Sequence, residues 1–244
     1  MKTLAPLFVA IPALLLLSNC QEPAARAAPE PQPKFVASAG TGTVVVELYQ
    51  SQGCSSCPPA NAALNAIADR SDVIALSFAV TYWDRLGWKD TFADPAYTDR
   101  QYAYSAALKN DSVYTPQVVL NGTTAIVGNG KGELDRAVAK APRLGKSPTI
   151  TADNGSVTIS AGKGSGDILL VHYDPRSQMV SIRAGENGGR KLPHRNIVRK
   201  LVTLGSWSGK AANFKLPPKR DATWQSVVIV QAKNTGPVLV AQKI

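Results

Sequence analysis

Two cysteines three residues apart carry the most specific chemistry in this 244-residue chain. They lie in the run Ser51-Gln-Gly-Cys54-Ser-Ser-Cys57-Pro-Pro59. A Cys-x-x-Cys pair between a strand and a helix is a site of dithiol–disulfide exchange, because its spacing lets both sulfurs meet across one helical turn. Free N–H groups and the helix dipole at that end favour a thiolate on the first sulfur. Cys54 is therefore the candidate attacking thiol and Cys57 the resolving thiol, with exchange passing through a mixed disulfide on Cys54. A permanent structural disulfide is the alternative, although so short a loop gains little chain-entropy stabilisation. Zinc is a further alternative, with no second cysteine pair or nearby His to complete it.

Other side chains are candidates for supporting roles. Ser55 and Ser56 lie between the cysteines and should help to set the reduction potential. With no basic residue there, a moderate potential is expected. Glu47 precedes the pair on a strand, where a buried carboxylate can accept a proton from Cys57. Alternation along the strand leaves its face open, and an ion pair is the competing reading. Tyr82, Trp83 and Trp88, with Asp84 among them, can wall a substrate groove or form a packed lid. Arg100 and Gln101 can line the same region.

The elements that must hold these residues are legible in outline. Thr43–Leu48 reads as a strand. Ala60, Ala63, Leu64, Ile67 and Ala68 form one helical face. Pro58 and Pro59 fit its first turn. Val73–Val80 suits a central parallel strand. Thr98-Asp-Arg-Gln101 matches a capping box, predicting a helix from Thr98 to Lys109. Asn121-Gly122 between Gln117–Leu120 and Thr124–Val127 signals a hairpin. Leu134, Ala137, Val138 and Ala141 make a last helical stripe. The order is β-α-β-α-β-β-α, an α/β domain over 43–142. From 147 to 244 short β-rich runs separated by turns predict an all-β, sandwich-like domain.

Charge divides the chain similarly. Residues 28–142 hold 9 basic and 11 acidic side chains, and residues 143–244 hold 16 and 5. The basic segment, with Arg190, Lys191, His194, Arg195, Arg199 and Lys200, is either a solvated surface or a contact for an anionic membrane surface or an acidic partner. The start of the chain argues for export. Leu7–Leu17 is an apolar core behind Lys2, and Ala25-Arg26-Ala27 fits a cleavage site, so 1–27 reads as a signal peptide and 28–42 as a flexible lead-in. Leu17-Ser18-Asn19-Cys20 offers lipid anchoring through Cys20 as the competing exit. A periplasmic or secreted protein meets disulfides rather than nucleic acid. No phosphate-cradling loop, Ser-His-Asp series or other cofactor signature is present. A thiol peroxidase would need a peroxide site that the spacing does not specify. His172 and His194 are distant from the cysteines in sequence.

The α/β domain resembles the thioredoxin superfamily in element order, in the place of Cys54-x-x-Cys57, and in Thr115-Pro116 just before the third strand. That resemblance implies a cis Pro116 facing the sulfurs, where it shapes the cleft and exposes backbone to an extended substrate. Over nearly the whole chain, Ser51–Pro59, Tyr82-Trp-Asp-Arg-Leu-Gly-Trp-Lys-Asp90, Val113-Tyr-Thr-Pro-Gln117 and Arg183-Ala-Gly-Glu-Asn-Gly-Gly-Arg190 are similar to a family of exported bacterial proteins known as DUF1223. It implies a thioredoxin-like domain with a β-rich extension and supplies no substrate. Gly53, rather than Trp, precedes Cys54. The expected activity is thiol–disulfide exchange with protein or small thiol substrates and a redox partner. The alternative is a non-catalytic binding or envelope-scaffold protein.

Overall fold

The computed structural model describes Met1 and residues 42–244, so the expected signal peptide, lead-in and Cys20 anchor lie outside the described residues, save for the last residue of the lead-in. Strand β1 (Val44–Gln50) runs parallel to β2 (Val73–Ala79), with helix α1 (Pro58–Ile67) between them. Helix α2 (Pro95–Ala107) follows, then β3 (Gln117–Leu120), antiparallel to β1, β4 (Thr124–Ile126) and α3 (Lys131–Lys140). The hairpin at Asn121-Gly122 forms as its sequence dictates, with both residues at positive φ.

The second helix departs from expectation. It starts at Pro95, where Asp94 accepts a hydrogen bond from the Ala96 N–H at 2.9 Å. Asp-Pro is itself an N-cap followed by a proline at N1, and it pre-empts the Thr98 box. Thr98 instead accepts the Thr81 N–H, and Gln101 donates to the Tyr114 carbonyl and to Gln117.

Nine further strands follow: β5 (Ile150–Asp153), β6 (Ser156–Ile159), β7 (Gly166–Asp174), β8 (Gln178–Ser181), β9 (Lys191–His194), β10 (Ile197–Trp207), β11 (Ala212–Lys215), β12 (Gln225–Ala232) and β13 (Val238–Lys243). The helices end with α3 and only strands follow, but the two regions share one sheet. Its eight strands run β13-β12-β7-β10-β2-β1-β3-β4, a large central mixed sheet with a few helices. The join is β10 against the outer edge of β2, where Ile197 pairs with Ser77, the Ser77 N–H donates to the Asn196 carbonyl, and Asn196 Nδ2 donates to the Ala75 carbonyl. Residues 42–244 form one compact unit.

Alternation sorts the side chains. Val44, Val46 and Leu48 face α1 and α3 in one core, while Val45, Tyr49, Ile74, Leu76 and Phe78 face α2 with Tyr97 and Tyr104 in another. At the β-rich end a three-stranded sheet, β11-β6-β5, packs over Ile168, Leu170 and Val228 around the buried Trp207. The β-rich region is thus built of a pair of layers, one of them continuous with the sheet that carries the cysteines.

Candidate functional site

The site is the turn between β1 and α1. Cys54 and Cys57 are disulfide-bonded, with Cα atoms 5.4 Å apart. Cys57 is the N-cap residue of α1, its carbonyl accepting the Asn61 N–H, and Cys54 sits one turn earlier. Both are buried, at 0% and 1% exposure, while Ser55 and Ser56 between them are exposed. Thr115 completes the first contact. Trp83 Nε1 donates to Thr115 Oγ1 at 2.8 Å, which leaves the Thr115 hydroxyl proton for Cys54 Sγ at 3.4 Å. Ser56 Oγ lies 3.3 Å from the same sulfur and 3.3 Å from the Thr115 carbonyl. The Thr115–Pro116 bond is cis.

The aromatic segment around Trp88 holds the turn from the outside. Trp88 Nε1 donates to Gln52 Oε1 at 2.8 Å, and the Gln52 N–H donates to the Asp90 carboxylate at 2.7 Å. Asp90 also takes the Phe92 N–H, yet burial raises its carboxyl to about 6. Tyr82 and Trp83 pack against the core on the α2 side, and Trp83 touches the site through Thr115.

Glu47 does not lie beneath Cys57. It belongs to the α2 face of β1, opposite α1, where Arg100 Nε and Nη2 donate to its carboxylate at 2.7 and 2.9 Å and the Tyr104 and Tyr49 hydroxyls donate at 2.7 and 2.9 Å. Arg100 also donates to Gln231 of β12. Burial holds both tyrosine hydroxyls above their ordinary range. All four hydrogen bonds, from three residues, are donated to a fully buried carboxylate, which makes this a structural charge network rather than a proton acceptor for the sulfurs.

The β8–β9 hairpin supplies residues that sequence reasoning did not connect to the cysteines. Its strand β9 lies on α1, with Asn65 Nδ2 donating to the Pro193 carbonyl and Arg195 making a two-pronged ion pair with Asp69. Its loop, Arg183–Arg190, reaches the Cys54 turn. Asn187 is fully buried, and its Nδ2 donates to the Gln52 carbonyl at 2.9 Å and to the Cys54 carbonyl at 2.7 Å, while Arg190 donates to its Oδ1 at 2.6 Å. Glu186 accepts the Ser55 N–H at 3.0 Å and the Ser55 hydroxyl at 2.6 Å. Gly185, at φ 73°, passes so near Trp88 that a Cβ there would lie 3.3 Å from the Trp88 Cβ. The only signal in the sequence was the turn-rich motif itself, 131 residues from Ser55.

The basic run around residues 190–200 is partly consumed by the fold. Arg195 pairs with Asp69, and Arg199 lies over the Phe92 and Trp224 rings at 5.2 and 5.6 Å. His172 contacts Ser226, and the buried His194 packs edge-on to Phe92. Among the described residues, no group of three or more His, Cys, Asp or Glu could hold a metal ion, and no helix is long and apolar enough to cross a membrane.

Fold and site together define a mixed α/β protein with a sheltered Cys-x-x-Cys disulfide at the start of its first helix. The chain belongs to the family described as "Protein of unknown function (DUF1223)", whose family model matches residues 45–231. It is similar to the solved structure of protein AGR_C_4864 from Agrobacterium tumefaciens, at 31% identity over 86% of this chain and 96% of that one, with a TM-score of 0.67. HBP35 of Porphyromonas gingivalis shares the fold at 12% identity, a TM-score of 0.52, and coverage of 83% and 74%. No curated protein matches this chain.

Proposed function

We propose that this is an exported thiol–disulfide exchange protein, built on a thioredoxin-like shell, with Cys54 as nucleophile and Cys57 as resolving thiol. The observation that carries the reading is the Trp83–Thr115–Cys54 chain, which aims a hydroxyl proton at the first sulfur of a Cys-x-x-Cys pair at a helix start. A donor there stabilises a thiolate on Cys54 more than a neutral thiol. The order β1-α1-β2-α2-β3-β4-α3, with Thr115-Pro116 entering β3, supports the thioredoxin-like assignment. The N-terminal sequence supports export to a periplasmic or extracellular space.

In the reduced protein the Cys54 thiolate attacks one sulfur of a substrate disulfide. A Cys54–substrate bond forms, the substrate S–S bond breaks, and the released sulfur takes up a proton. Cys57 loses its proton and attacks Cys54 Sγ, closing the Cys54–Cys57 bond and releasing the second substrate sulfur. The substrate gains two electrons and the pair loses them, and the reverse sequence oxidises a dithiol.

The burial of both sulfurs favours a second reading, a structural cystine in a non-catalytic binding or scaffold protein. The test is the reduction potential of the pair, with capture of mixed disulfides by Cys57→Ala. Exchange predicts a potential of roughly −270 to −180 mV and captured exported proteins bound through Cys54. A potential below about −300 mV, with nothing captured, supports the structural cystine and overturns exchange.

A further inference from the structure

Cys54 receives opposing electrostatic inputs from two sides. Thr115 offers a proton to its sulfur, as described above. On the other side the Ser55 N–H, which follows Cys54 directly and belongs to the turn that opens α1, is already taken by the Glu186 carboxylate. Ser55 precedes the N-cap Cys57, and Pro58 and Pro59 give the first helical positions no N–H, so what this contact brings to Cys54 is the charge of the carboxylate. Glu186 therefore places a negative charge against the residue that follows Cys54. Its placement is fixed rather than incidental: the neighbouring Asn187 is fully buried and tied to the Gln52 and Cys54 carbonyls, and Arg190 locks the Asn187 amide. The hairpin that carries the loop is anchored on α1 by Asn65 and by the Arg195–Asp69 pair.

We propose that Glu186 is a positioning residue for the Cys54–Cys57 pair, a fixed anionic brake that disfavours the Cys54 thiolate and so biases the pair towards its disulfide. This rests on the reading that the pair exchanges. When dithiothreitol reduces the pair, the S–S bond breaks, two electrons and two protons pass to Cys54 and Cys57, and dithiothreitol closes to its cyclic disulfide. Because the disulfide carries no charge and the thiolate does, an adjacent carboxylate opposes the reduced state wherever Cys54 ionises. The carboxylate is exposed, so the effect is modest and screened by salt.

The test uses the full chain with Cys20→Ser in every variant, so that only the pair is read. The parent, Glu186→Gln and Glu186→Ala are equilibrated with dithiothreitol redox buffers. Each is also fully reduced by a phosphine, freed of it, and alkylated with iodoacetamide across a pH series. Gln keeps an acceptor for Ser55 and removes only the charge. The expected result for Glu186→Gln is a rise of roughly three- to tenfold in the equilibrium constant for reduction at low salt, tenfold being about 30 mV. The alkylation profile of Cys54 should shift to lower pH, with both effects shrinking at 0.5–1 M salt, where the Debye length falls to about 3–4 Å. Glu186→Gln matching the parent in both measurements overturns the proposal, as does a change in Glu186→Ala alone, which would make Glu186 merely a hydrogen-bonded fastener. Circular dichroism confirms that each variant is folded before either comparison. The alkylation profile reads Glu186 even if the parent resists redox buffers and captures nothing, so failure of the brake is separable from failure of the exchange reading.

Discussion

Replacing Glu47 by Gln should strip about 3–5 kcal/mol from the fold while leaving the cysteine chemistry untouched. Arg100 is buried, and Glu47 is the carboxylate it pairs with, through two donors at 2.7 and 2.9 Å. A Gln side chain has one acceptor oxygen where four hydrogen bonds now converge, and it carries no charge to balance the guanidinium. Removing one partner of such a pair leaves an uncompensated buried charge, which accounts for the size of the loss. For a folded unit of this length, 1 kcal/mol corresponds to about 2–4 °C, so the melting temperature should fall by roughly 6–20 °C. Urea denaturation at neutral pH, read by tryptophan fluorescence and by circular dichroism, measures the change. The double variant Glu47→Leu, Arg100→Met should lose much less than the sum of its single changes, because both charges leave together. The Cys54–Cys57 potential should not move, because Glu47 faces α2 and the sulfurs lie with α1. A loss below about 1 kcal/mol would refute the argument from an uncompensated charge. A shifted potential would return Glu47 to the proton-transfer role that strand alternation left open.

Asn187→Ala should cost about 1–3 kcal/mol by orphaning the Gln52 and Cys54 carbonyls, and should speed alkylation of reduced Cys54; denaturation and iodoacetamide rates check both. Burial lowers His194 to about 4, so the fold keeps it neutral while the unfolded imidazole charges below about pH 6.5. Its contribution is thus lost as pH falls from about 6.5 to 4, and the stability of the parent relative to His194→Leu should drop by about 3 kcal/mol over that window. Asp90 slopes the other way: its carboxyl is raised to about 6, so the stability of the parent relative to Asp90→Asn should rise as pH falls from about 6 to 4, again measured by denaturation at several pH values. Gly122 has φ 69°, and a Cβ there would lie 2.6 Å from the Gly236 carbonyl oxygen; Gly122→Ala should lose at least about 2 kcal/mol in the same assay.

What the sequence disclosed depended on how local the cause was. β1, β2, α1 and the β3–β4 hairpin follow from apolar period and from Asn121-Gly122, which act within a few residues. The start of α2 was masked because Asp94-Pro95 and Thr98…Gln101 are both valid start signals, and only the loop from Thr81 shows which one the chain uses. β9 was hidden by Pro193, which demotes a run that here forms a short separate hairpin. β1 is buried on both faces, so alternation said which residues share a side with Glu47 but not which side faces α1. The pairing of β10 with β2 and the reach of Glu186 and Asn187 to the Cys54 turn are long-range contacts with no local periodicity to announce them. Cys54, Cys57 and Thr115 stand out in the sequence because each lies in a short motif, and the structure brings the three together.

The hairpin over the cysteines also gives the molecule an order of assembly. Asn187 follows Cys54 by 133 residues, so during synthesis the pair emerges long before its cover does. A Cys-x-x-Cys disulfide needs only its own turn to close, whereas the shelter needs β8 and β9 seated on α1. The order of the chain thus allows oxidation before enclosure: the turn can close its bond while open to an oxidant, and the later segments then seat over the cystine.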